Sequence, residues 1–160
     1  MANIAFLGTG LLGGAFAEAA SKRGDHVTAW NRSADKALAL AQFGVKAAST
    51  PADAVRNAAR VHLVLKDDAV VEEVIAAARP GLDAEAVLID HTTILPVRTA
   101  KRAEEFRAQG LKYLHCPVFM EPLHARNAQG SMMVAGPRAL FESVKTDLAR
   151  MTGRLSGHSP

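Results

Sequence analysis

Three glycines at a fixed spacing, Gly8-Thr9-Gly10-Leu11-Leu12-Gly13, constrain this chain more than any other feature, because of what stands on either side of them. Before them runs Asn3-Ile4-Ala5-Phe6-Leu7, a short apolar segment of the kind that forms a central strand covered on both faces. After them, Leu12, Ala15, Phe16 and Ala19 recur at helical spacing as far as Arg23, and Gly24 then supplies a helix stop. A strand that turns into a helix through G-x-G-x-x-G has a physical logic. The first glycine permits the tight turn, the second lets a ligand approach backbone where a Cβ would intrude, and the third lets the helix pack closely on the sheet. The unpaired N–H groups of the first helical turn add a positive partial charge, and together these features predict a seat for the diphosphate of a dinucleotide.

The alternation continues down the chain. His26–Trp30 reads as a second strand and Ala34–Phe43 as a second helix, with Ser33 as its N-cap and Gly44 behind it. Further strands are predicted at Val45–Ala47, Val61–Leu65, Ala86–Asp90, Lys112–His115 and near Met132–Ala135. Helices are predicted after Thr50-Pro51, over Asp68–Ala78, over Pro96–Gln109 and from Pro137 to about Met151, while the Pro- and His-rich stretch after His115 reads as a loop. Strands separated by helices imply an α/β fold of the Rossmann type: a doubly wound, mostly parallel sheet with helices on both faces, in one domain over residues 1–160. With 49% hydrophobic and 22% charged residues, the chain has the means to bury a core of that kind, which excludes a disordered or fibrous reading.

The end of the second strand decides which dinucleotide is expected. Enzymes that use NAD place a carboxylate there to accept hydrogen bonds from the adenosine ribose, and this chain has Asn31. Nothing at that position repels a 2'-phosphate, and Arg32 and Ser33 follow as cation and hydroxyl donor, so the corner favours NADP(H). A charge-assisted hydrogen bond of this type contributes about 1.5 to 3 kcal/mol, or about ten- to a hundredfold in affinity.

With these blocks in view, the sequence resembles the β-hydroxyacid dehydrogenase family, which includes 3-hydroxyisobutyrate dehydrogenase and shares its N-terminal domain type with 6-phosphogluconate dehydrogenase. Ile4–Gly13 followed by Val27–Ser33 is similar to that family's cofactor signature with an NADP-type ending. Asp90-His91-Thr92-Thr93-Ile94-Leu95-Pro96 matches its D-x-[ST]-[ST]-x-x-P, which implies that Thr93 lies against the nicotinamide half; Leu65-Lys66-Asp67 occupies the turn that supports the adenosine and ribose side. Cys116–Pro122 corresponds to the family's A-P-V-S-G-G run, whose hydroxyl and N–H groups receive a substrate carboxylate. Here Phe119, Met120 and Glu121 stand in the Ser-Gly-Gly places, so the resemblance implies a substrate pocket better suited to a neutral or cationic carbonyl or imine. The family's catalytic lysine belongs to a G-x-x-x-K-x-x-N helix opening an all-helical second domain, and these 160 residues contain no such motif. The resemblance therefore implies no catalytic residue within this chain, cofactor binding in excess of turnover, and an apolar surface, left bare by the missing domain, that drives self-association into a homo-oligomer.

Other features point to fewer possibilities. A net charge of +3 spread among acids does not form a nucleic-acid-binding stripe, and no apolar run approaches the roughly 20 residues that span a bilayer, so no nucleic acid or membrane partner is expected. A single cysteine, Cys116, and six scattered His exclude a disulfide or a cysteine-rich metal site, in keeping with a cytoplasmic protein without metal. Lys66 as a substitute acid, His91 and His115 as proton relays, and Cys116 as an activated thiol are weaker readings than surface, packing and small-core roles for the same residues. Three readings stay open: the cofactor domain of an NADP-dependent oxidoreductase acting on a small carbonyl, alcohol or imine, a non-catalytic NADP-binding or interaction module, and an inactive truncated product.

Overall fold

A computed structural model describes residues 2–92 and 96–158. At its centre β1 (Asn3–Leu7) pairs in parallel with β2 (His26–Trp30) on one side and β4 (Arg60–Leu63) on the other. Beyond β2 lies β3 (Lys46–Ala47), and beyond β4 lie β5 (Val87–Asp90) and β6 (Lys112–His115), all parallel. The order β3-β2-β1-β4-β5-β6 means that the chain winds outward from the middle in both directions, leaving a crevice beyond the carboxyl ends of β1 and β4 where the winding reverses.

Strand composition follows from burial on two faces. All four residues of β4 and of β5 are buried, as are the last four of β1, so β1 and β5 show apolar runs with little alternation, while β4 buries Arg60 and His62 on the face opposite Val61 and Leu63. One face carries Ile4, Phe6, Ile89 and Leu114 under α1 (Leu11–Lys22), which contributes Ala15, Phe16 and Ala20. The other carries Leu7, Leu63, Leu88 and Tyr113 under α3 (Pro51–Val55), α4 (Asp68–Ala78) and α5 (Pro96–Ala108), with Val55, Val71, Val74, Ile75 and Phe106 facing in. Alanine is used where helix and sheet approach closely: Ala15 and Ala17 of α1 are fully covered.

The expected alternation is present, and four details differ from it. Residues 34–43 form α2 (Ala34–Leu38) and then tighten into a 3₁₀ turn (Ala39–Phe43), ended by Gly44 at φ +87° and held by Ser21 Oγ donating to the Phe43 carbonyl at 2.6 Å. The fourth strand stops at Leu63, so Val64 and Leu65 belong to the turn at the crevice. The stretch expected to be a loop contains β7 (Val118–Phe119) and α6 (Pro122–Arg126); Pro122 stands at the first helical position, and Glu121 and His124 form reciprocal capping bonds. After α7 (Arg138–Ala149) a further strand, β9 (Arg154–His158), runs parallel to β8 (Ser131–Ala135), which is itself antiparallel to β6 and β7. In β9, Gly157 sits beneath Phe141, whose ring atoms begin 2.3 Å from where a Cβ would lie.

Candidate dinucleotide-binding site

The glycine turn is built as its spacing predicts, and each glycine answers to a different neighbour. Gly8 has φ +100°, its N–H donates to the Trp30 carbonyl at 2.9 Å, and a Cβ there would meet the Val64 carbonyl oxygen at 2.2 Å. A Cβ on Gly13 would lie 2.1 Å from the Gly8 carbonyl oxygen, so the third glycine lets α1 close against the strand end. Gly10 is different: among the described residues a Cβ there would meet nothing within 4 Å. None of these neighbours requires its glycine, and the turn presents open backbone just where α1 begins without a side-chain cap and without an acid in its first turn. Leu11 is 83% exposed at the start of α1, whereas Leu12 packs partly against the core. Thr9 is 4% exposed and its Oγ1 has no hydrogen-bond partner among the described residues, a candidate that motif spacing alone passes over because its position is the motif's variable one.

The corner after β2 is braced to this turn. Asn31 accepts a hydrogen bond from the Thr9 N–H on Oδ1 at 2.9 Å and donates from Nδ2 to the Ser33 carbonyl at 3.0 Å. Ser33 occupies the N-cap position of α2, but its side chain makes no capping bond, contrary to the expectation from sequence, so the hydroxyl is free of that duty. Arg32 is exposed and extends toward Glu73 of α4, with 3.4 Å between Nη2 and Oε1.

Beyond β4, the Leu65 N–H donates to Thr92 Oγ1 at 3.2 Å, Lys66 is exposed, and Asp67 caps α4 by accepting from the Val70 N–H at 3.0 Å. Beyond β5, the turn at Thr92 is held by Asp90, whose Oδ1 accepts the Thr92 N–H at 2.9 Å. Asp90 is fully buried; its Oδ2 accepts from the Tyr113 hydroxyl and, at 3.1 Å, from Arg102, which also pairs with Asp68. Burial holds the Asp90 carboxyl above the usual carboxylate range, and the hydrogen bonds from Tyr113 and Thr92 offset only part of that rise. This cluster ties α5 and α4 to both strand-end turns. Its signal in the sequence was slight: Thr99, Arg102, Ala103 and Phe106 fall on one face of α5, a cation among residues with core spacing. Thr93 lies outside the described residues.

The histidines on the opposite face of the sheet have structural roles. His62 and His91 are buried and stacked, with 2.9 Å between His62 Nδ1 and His91 Nε2, and His91 Nδ1 lies 2.8 Å from the Cys116 carbonyl oxygen. A carbonyl only accepts, so His91 carries its proton on Nδ1 and its Nε2 receives the Nδ1 proton of His62; the pair is neutral with both tautomers set. Burial lowers the His91 imidazole to about 4 and takes His62 well below its ordinary value. His115 Nε2 lies 3.0 Å from the Thr92 carbonyl oxygen and donates to it. Cys116 is fully buried, and burial pushes its thiol well above the ordinary range, so it packs as a small apolar residue and is not an activated thiol.

Of the three residues in the substrate-pocket places, Phe119 is 61% exposed, Met120 lies over Gly130, with its Cβ 2.5 Å from where a Gly130 Cβ would be, and Glu121 accepts the backbone N–H of His124 as the N-cap of α6. Among the described residues, no group of three or more His, Cys, Asp or Glu side chains is arranged to hold a metal ion, and no helix is long and apolar enough to cross a membrane.

Comparison with known proteins places this geometry in a lineage. Residues 3–158 match the model of the NAD binding domain of 6-phosphogluconate dehydrogenase. Among curated proteins, an uncharacterized oxidoreductase of Shewanella frigidimarina is 32% identical over 149 residues, spanning 91% of this chain and 51% of that protein. An NADPH-dependent reductive aminase of Aspergillus oryzae is 26% identical, spanning 92% of this chain and 50% of that protein. Among solved structures, the 3-hydroxyisobutyrate dehydrogenase of Mycobacterium tuberculosis superposes with a TM-score of 0.93 at 23% identity, over 99% of this chain and 55% of that one. The chain spans about half the length of the curated relatives it matches.

Proposed function

Because the chain belongs to the family of the NAD binding domain of 6-phosphogluconate dehydrogenase, we propose that it binds NADP(H) along the carboxyl edge of its sheet and serves a hydride-transferring oxidoreductase. The observation that carries the choice of NADP(H) is the corner after β2. Asn31 brings no negative charge and has both amide atoms engaged with backbone, while Arg32 is exposed beside it and the Ser33 hydroxyl makes no capping bond. Gly10, with open space in place of a Cβ, and the uncapped start of α1 fit a diphosphate, and the orphaned Thr9 hydroxyl lies in the same turn.

In this reading the backbone of Gly8–Gly13, with Leu11 and Leu12 leading α1, holds the diphosphate, and Arg32 and Ser33 hold the 2'-phosphate. Leu65, Lys66 and Asp67 would line the adenosine side, and the family resemblance assigns Thr93 to the nicotinamide, whose bound form would supply the hydride. Asn31 acts by fixing the corner against the glycine turn. Asp90, through Thr92, fixes the turn on the other side of the crevice, and the neutral His62–His91 pair keeps Cys116 in place ahead of the pocket segment.

For the substrate we infer a small carbonyl or imine without a carboxylate. Phe119 and Met120 offer apolar bulk, and the Glu121 charge, though spent on a helix cap, opposes an anion nearby. NADPH-dependent reductive amination is the activity named for the Aspergillus relative and is consistent with that choice. The test is NADPH binding measured together with NADPH oxidation over a panel of aldehydes, 2-oxo acids and aldehyde–amine mixtures, using this chain. Binding with little oxidation is the expected outcome, since the family's lysine motif is not among these residues. Turnover fastest on a 2-oxo acid would overturn the substrate inference, and absence of binding would overturn the function.

A further inference from the structure

The one ion pair that Arg32 makes among the described residues spans the crevice. Arg32 follows β2, and Glu73 lies in the second turn of α4, which follows β4; β1 lies between these two strands, so the pair joins opposite sides of the switch point. Both side chains are well exposed, at 66% and 70%, and the contact of 3.4 Å is single and not forked, so it is weak and readily exchanged. On the proposed reading of the cofactor, on which this inference rests, the guanidinium that Glu73 holds is the one that must meet a phosphorylated ribose.

We propose that Glu73 is a specificity-determining residue: an internal competitor for Arg32 that tempers the preference for the phosphorylated over the unphosphorylated dinucleotide. A carboxylate and a phosphate monoester compete for the same planar donor fork. When the phosphate takes it, either the carboxylate is released into water or two anions share one cation at close range, and both outcomes reduce the gain from Arg32. A dinucleotide without the phosphate leaves the Arg32–Glu73 pair intact and incurs no such cost.

The experiment is a double-mutant cycle on the whole chain, reading the dissociation constants of NADPH and NADH at constant ionic strength for the wild type, Glu73→Gln, Arg32→Ala and the double variant. Loss of the exposed pair together with relief of the repulsion from the phosphate brings the expected effect to about a three- to tenfold tighter NADPH in Glu73→Gln, with NADH unchanged within about twofold. The gain should shrink in high salt and be clearly smaller when Arg32 is already Ala, where only the repulsion is left. Glu73 is a surface residue, so an unchanged melting temperature confirms that all four proteins are folded. If Glu73→Gln leaves NADPH affinity unchanged, or the gain survives in full without Arg32, the competition is refuted while the cofactor reading stands. If Arg32→Ala weakens NADPH and NADH equally, the cofactor reading itself fails, and this inference with it.

Discussion

Acidification tests the neutral His62–His91 pair directly. In the unfolded chain a histidine takes up a proton near pH 6.5; in the native protein His91 does so only near 4, because burial penalises the charged imidazole. Between those values the unfolded state binds a proton that the native state refuses, so stability falls as the pH falls through 6.5 and the loss levels off near 4. From pH 7.0 to 5.5 this linkage amounts to about 1.2 kcal/mol for His91 alone, and His62 acts in the same direction. The assay is urea denaturation of the wild type and of His91→Asn at both pH values. Other titrating groups are common to the two proteins, so the difference between their pH dependences isolates His91, whatever the variant loses at pH 7.0 from the bond to Cys116. The wild type should lose about 1.2 kcal/mol more than the variant on acidification. Equal losses would show that His91 titrates normally in the native state, and the fixed tautomers with it would be wrong.

Three further outcomes follow from the site. Gly13→Ala forces a Cβ to within 2.1 Å of the Gly8 carbonyl, so α1 must shift away from the strand end; the expected cost is about 1 to 3 kcal/mol in a denaturation curve and at least about tenfold in NADPH affinity, whereas Gly10→Ala should keep wild-type stability and lose only affinity. Asn31→Asp keeps an acceptor for the Thr9 N–H but removes the donor to Ser33 and adds a charge, so NADPH affinity should fall by at least about tenfold and NADH affinity should hold or rise in parallel titrations. Arg102→Met strands the buried Asp90 carboxylate and should cost about 3 to 5 kcal/mol in urea denaturation at pH 7, with Asp90→Asn in the same chain restoring part of the loss.

Much of this arrangement is legible in the residues because local signals and fold agree. Glycines at 8, 10 and 13 between an apolar run and a helical repeat have one economical solution, and the apolar stretches Ile4–Leu7 and Val87–Ile89 announce strands buried on both faces, whereas β4 buries Arg60 and His62 among its apolar residues. What escapes the reading is decided by contacts distant in sequence. Arg154–His158 becomes a strand only because β8 offers it an edge, and Pro122–Arg126 becomes a helix through a cap supplied by Glu121 and His124 where Pro and His suggest a loop. At the site, Asn31 is visible in the sequence as an uncharged residue at the end of the second strand, yet its bond to Thr9 joins residues 22 positions apart. The engagement of Arg32 by Glu73, 41 positions away, and the convergence of Asp68, Asp90, Arg102 and Tyr113 require the packed sheet before they can be seen.

The central claim is that this crevice holds a dinucleotide and selects its 2'-phosphate. Calorimetric titration of the wild-type chain with NADPH and then with NADH, in one buffer at about 0.15 M salt, tests it most directly. The account predicts one site per chain and an affinity for NADPH higher by about tenfold or more. Equal affinities, a preference for NADH, or no heat of binding from either would contradict it.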